Sequence, residues 1–188
     1  MTLFGIGQGT IATFLVLYLK ESLGYSKELS GLMFTFFMIG GGVGRILWGL
    51  ISDRVFKARR APVLLIMAAL ATIVTLVTLS WSADWPQWLF SIPAIFLGFL
   101  GLGYNAVALV LVAELGDPSR AGTAVGLGSF MAWGGLSLGI VAFGNMVTFF
   151  QSYFYAWLFV AAAYFVTTLL CASLILIMRR KPSLEVAT

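Results

Sequence analysis

The sequence predicts an all-α integral membrane protein of six transmembrane helices. Three observations carry this. Of the 188 residues, 61% are hydrophobic and 10% charged, with a mean hydropathy of +1.02. Roughly 25% charged residues is usual for a soluble domain, so a water-surrounded fold is excluded. The apolar residues fall into runs near the ~20 residues needed to cross ~30 Å of hydrocarbon. The connections between runs are short, and open strands cannot satisfy their backbone in lipid, which leaves a helical bundle.

Taken in order, the spans fall at about 3–19, 30–52, 62–81, 88–113, 121–143 and 153–178. Met1 to Leu19 lacks a basic leader and a small-residue cleavage pattern, so it reads as a span rather than a signal peptide. The second span ends in Asp53 and a basic burst of Arg54, Lys57, Arg59 and Arg60. The third, 62–81, contains no glycine, and neither does the sixth. The fourth carries the polar pair Tyr104 and Asn105. From Ala121 to Met178 no residue is charged, and this run divides into two spans at 144–152. The six spans form a single unit, residues 1–188.

Charge sets the expected orientation. Arg54, Lys57, Arg59, Arg60, Arg120, Arg179, Arg180 and Lys181 collect on one side, against Lys20 and Lys27 on the other. The positive-inside rule makes the first side cytoplasmic, with both termini there. The plasma membrane, in a bacterium the inner membrane, is the expected location. Trp81, Trp85, Trp88, Tyr153, Tyr155 and Trp157 suit the opposite interface.

Glycine sorts the helices. Gly5/Gly9, Gly40/Gly44, Gly122/Gly126 and Gly135/Gly139 stand at four-residue spacing, which lets membrane helices approach closely. Spans 1, 2, 4 and 5 are therefore the packed or cavity-lining set, and spans 3 and 6 face lipid.

Several function classes are excluded. A formal charge of +4 placed in short loops gives no nucleic-acid footprint. One cysteine and no histidine leave neither a disulfide framework nor a zinc site, and remove the usual general base. Residues 135–139 match G-x-S-x-G, but Ser137 lies in an apolar helix without a histidine to activate it. The glycines of 40–44 lack the lysine of a phosphate loop. No enzyme, metal or cofactor is expected.

The stretch from Gly49 resembles the signature G-x-x-x-D-R/K-x-G-R-R/K of the major facilitator superfamily, found after the second helix of each half. Gly49, Asp53 and Arg54 match, Lys57 takes the next basic position, and Phe56 replaces the preferred glycine. Residues 113–126 look like the loop between the tenth and eleventh helices of that family. The resemblance implies a C-terminal half-bundle built as a 3+3 inverted repeat. In the family, two such halves enclose an alternating-access cavity. A missing N-terminal half or a second copy is then an expected partner, beside the lipid bilayer, and the chain alone is not expected to transport. The resemblance also assigns Gly49, Asp53, Arg54, Lys57, Arg59 and Arg60 to a conformational latch. A different class of reading is a six-helix assembly or regulatory protein, or a self-dimerising carrier.

Arg45 stands eight residues before Asp53, ~12 Å into the membrane at 1.5 Å per residue. A charge there costs about 2.5–3.5 kcal/mol, so it should face inward and have a partner. Gly41, Arg45 and Gly49 share one helical stripe. The pattern G-R-x-x-x-G-x-x-S-D resembles the eighth helix of superfamily anion carriers, such as the oxalate/formate, monocarboxylate and nitrate branches, and implies that Arg45 binds a small organic or inorganic anion. An arginine snorkelling to the interface is the competing reading. Gln8, Tyr104 and Asn105 are the further candidate substrate contacts.

Overall fold

The computed structural model describes residues 1–115 and 117–180, all in helices and short connections. The helices are α1 (Thr2–Leu23), α2 (Lys27–Arg54), α3 (Arg60–Thr78), α4 (Ser91–Gly101), α5 (Tyr104–Leu115), α6 (Ala121–Phe150) and α7 (Tyr153–Arg180). Among the described residues six stretches are long and apolar enough to span a membrane, with α4 and α5 together making the fourth, Trp88–Leu115. Lys181, and the side chains of Arg179 and Arg180, lie outside the described residues.

Helix ends follow local chemistry. Ser26 caps α2 by accepting from the Leu29 N–H at 3.2 Å. Gly24 ends α1 in the left-handed region at φ 67, where a residue without Cβ is unstrained. Two features depart from the sequence reading. α6 extends seven residues past its expected end at 143, and the break falls at the far end of the expected stretch 144–152, at Gln151, whose φ is 49. Thr148 returns its hydroxyl to the Gly144 carbonyl, keeping the helical turn closed. The fourth span, by contrast, is interrupted at Leu102 and Gly103.

Three helix pairs dominate the packing: α1 with α6, α2 with α4, and α3 with α7. If spans 1, 2 and 3 correspond to spans 4, 5 and 6, the first two pairs exchange and the third maps onto itself. That is the contact pattern of a 3+3 inverted repeat. Glycine sets both crossings. A methyl added at Gly5 would strike the Ala132 carbonyl, and one at Gly98 would strike the Phe37 carbonyl. Gly122 and Gly126, at the same spacing, have open space before them.

The aromatic end of the bundle is held by burial. Tyr18, Trp81, Phe90, Phe143, Tyr153 and Trp157 lie in one apolar cluster. Trp81, Tyr153 and Trp157 thus turn inward, leaving Trp88 and Tyr155 as exposed rings. Tyr18 donates to the Thr78 carbonyl at 3.1 Å, and Tyr153 donates to Glu21 at 2.7 Å.

Candidate functional site

A cleft of about 430 Å³ opens between α1, α2, α5 and α6. Its polar lining is Gln8, Arg45, Asn105 and Ser129, with Trp133 among the remaining walls. Four helices reach it because the two glycine crossings bring α1 onto α6 and α2 onto α4, leaving the gap between the pairs. The interruption at Leu102 and Gly103 restarts the helix at Tyr104, so Asn105 occupies the first turn of α5. There its Nδ2 donates to Gln8 Oε1 at 2.9 Å.

Arg45 is exposed on the cleft wall. Among the described residues no carboxylate lies within ion-pair distance of it, and none lines the cleft. A guanidinium offers five donors in a planar fork suited to carboxylate or phosphate.

Three of the four expected contacts therefore meet in one place, Gln8, Arg45 and Asn105. Tyr104 does not join them. It is fully buried, stacked on Phe4 with ring centroids 4.4 Å apart. In a helix, neighbours point ~100° apart, so Asn105 reaches the cleft while Tyr104 turns into the core. Thr10 is likewise buried, bonding the Ile6 carbonyl of its own helix. Ser129 was not anticipated. Its signal is its spacing, one turn before Trp133 on the same helical face.

The second group surrounds Arg60 at the basic end. Its guanidinium donates to Ser52 Oγ at 2.8 Å, to Asp53 Oδ1, and to Glu114 Oε1 at 3.2 and 3.3 Å. One side chain so joins the end of α2, the start of α3 and the end of α5. A cation at a helix N-terminus opposes the helix dipole, and the two carboxylates offset this. Of the expected latch residues, the structure links Asp53 and Arg60. Among the described residues Arg54, Lys57 and Arg59 make no ion pair, and nothing lies over Gly49. The loop turns through left-handed Lys57 (φ 50) and Ala58 (φ 60) and is closed by an Ala58 N–H to Ser52 carbonyl bond of 2.9 Å. Glu114 went unrecognised because only the fold brings it to residue 60.

Residues 1–187 match the profile of the Major Facilitator Superfamily. Among curated proteins, the chain is 35% identical over 130 residues to the glycerol-3-phosphate transporter of Bacillus subtilis, covering 69% of this chain and 28% of that protein. It is 32% identical over 120 residues to a "probable hexose phosphate transport protein" of Chlamydia trachomatis, covering 63% and 26% respectively. It is 30% identical over 123 residues to the membrane sensor protein UhpC of Escherichia coli, covering 65% and 28%. The matched segment thus spans little more than a quarter of each relative. A match over nearly every residue, six spanning helices and the inverted-repeat packing lead to one conclusion: the chain is an integral membrane protein belonging to the major facilitator superfamily.

Proposed function

We propose that this chain is one six-helix half, the C-terminal one, of a secondary carrier that moves a small phosphorylated anion by alternating access. The observation that carries the reading is Arg45, a guanidinium on the wall of a polar cleft with no carboxylate among the lining residues. Two relatives named as transporters of glycerol 3-phosphate and hexose phosphate point to a phosphate ester as the anion. Such an ester supplies the counter-charge that Arg45 needs, and Gln8, Asn105 and Ser129 surround it with hydrogen-bonding groups. The start of α5 adds the partial positive charge of a helix N-terminus beside the cleft.

The cleft forms one wall of a cavity that a complementary half closes. Supporting this, α6 exposes Phe130, Trp133, Leu138 and Val141, and α2 exposes Ile46, at 61–75% of their surface. The basic end is cytoplasmic, and the Arg60–Asp53–Glu114 cluster braces that end in one conformation of the cycle. A second copy in place of the other half is the alternative assembly.

The test is uptake into liposomes by this chain paired with its complementary half. Arg45→Ala should abolish transport of glycerol 3-phosphate and glucose 6-phosphate without reducing membrane insertion, and Arg45→Lys should retain little of it. Normal uptake by Arg45→Ala sinks the proposal. The relative named as a sensor favours a second reading, in which the assembled protein binds the ester without moving it. Saturable binding with no uptake in either direction would select that reading.

A further inference from the structure

The hydrogen bond from Asn105 Nδ2 to Gln8 Oε1, at 2.9 Å, ties the first turn of α5 to α1. In either sense of the two amides, the pair keeps three N–H donors and accepting capacity on both carbonyl oxygens. Both residues are half-buried and line the cleft. Neither Gln8 Nε2 nor Asn105 Oδ1 is among the buried polar atoms lacking a partner, so neither is sealed from solvent.

The remaining polar lining differs in kind. Arg45 and the Trp133 indole only donate, and the Ser129 hydroxyl rotates to suit its neighbour. Fixed side-chain acceptors in the cleft are therefore confined to the amide pair. A phosphate dianion only accepts, so it can use the free N–H groups of the pair but not its carbonyl oxygens, whereas Arg45 offers charge and donors alone. A hydroxyl both donates and accepts, and it fits the amide pair as it stands.

We propose that the Gln8–Asn105 pair determines specificity by holding a hydroxyl group on the organic part of the ester, while Arg45 holds the phosphate. This rests on the phosphate-ester reading above and narrows it to polyol and sugar phosphates, at the expense of plain alkyl phosphates. An alkyl chain entering the cleft would strip water from both amides and return no hydrogen bond. Sites built for a substrate hydroxyl reject the analogue lacking it for this reason.

The experiment measures inhibition of uptake by matched pairs, using the carrier that contains this full chain in liposomes. Glycerol 3-phosphate is set against n-propyl phosphate, and glucose 6-phosphate against cyclohexylmethyl phosphate. The unaltered carrier should prefer at least one hydroxylated ester over its partner by about 100-fold. Asn105→Leu, close in shape, should bring that ratio to within about threefold, by weakening the hydroxylated ester while sparing the alkyl one. Gln8→Met should lower the ratio in the same way, and it carries the test if Asn105→Leu fails to insert. No preference in the unaltered carrier overturns the inference, as does a preference that survives the substitutions. Arg45→Ala separates the two levels. If it weakens every ester while the amide variants act equally on both members of a pair, only the inference fails. If it leaves every ester unaffected, the phosphate-ester reading fails and the inference with it.

Discussion

Glycine does opposite things in two regions of this bundle. At the α1–α6 and α2–α4 crossings, Gly5, Gly40, Gly98 and Gly135 face the backbone of the partner helix, and the space for a methyl group is already occupied by a carbonyl. On the α2 and α6 faces beside the cleft, Gly42, Gly122, Gly126 and Gly134 have nothing before them. The residue type is the same, and Gly122/Gly126 share the four-residue spacing of Gly5/Gly9, Gly40/Gly44 and Gly135/Gly139. The difference teaches that a small-residue motif marks a helix able to approach something closely, whereas its partner is chosen elsewhere in the chain. Inside the half, the partner is present and the crossing is rigid. At the open face, no partner helix lies before these glycines among the described residues.

The largest expected effect breaks the first region. Gly98→Ala drives a methyl into the Phe37 carbonyl, and backbone cannot step aside as a side-chain tip would. Overpacking of this kind costs about 3 kcal/mol. Thermal unfolding in mild detergent should show a large fall in midpoint, and an unchanged midpoint would mean that the crossing is looser than described.

Arg45→Ala comes next and acts on the open face alone. Loss of a hydrogen-bonded charge should weaken anion binding by about 1.5–3 kcal/mol, roughly 10–150-fold. The unfolding midpoint should stay within a degree or two of the parent, since no protein group is bonded to Arg45 among the described residues. A coupled loss of stability would make Arg45 structural.

Arg60→Gln should cost less, about 1 kcal/mol. Its guanidinium is 11% exposed, but Asp53 and Glu114 are 57% and 44% exposed, so water screens much of the attraction. The stability difference between parent and variant should shrink as salt is raised. A difference independent of salt would assign the loss to the Ser52 hydrogen bond instead. Glu114→Gln should reproduce part of the effect from a residue 54 positions away.

The smallest expected effect closes the comparison. Gly126→Ala, in open space, should leave the isolated bundle within about 0.5 kcal/mol of the parent. On the proposal that a complementary half closes the cleft, the same change should weaken its assembly with this chain. Pull-down of the two halves measures this, and equal recovery of variant and parent would make the open glycines neutral.

The sequence by itself determined the membrane class, the number of spans and their approximate limits, because hydrocarbon thickness imposes a length that apolar runs report directly. It also singled out Arg45, since a charge in that setting demands an explanation. Gln8 and Asn105 were legible only as polar residues in apolar helices. Nothing in one dimension relates positions 8 and 105, and only the fold makes them hydrogen-bonded neighbours. The interruption at Gly103 and the continuity of α6 through Gly144 were also decided by tertiary structure. Glycine permits a break or a close approach equally, and the neighbouring helix selects between them. Tyr104 became core and Glu114 became Arg60's partner for the same reason, since the direction a side chain faces is set by the helix packed against it.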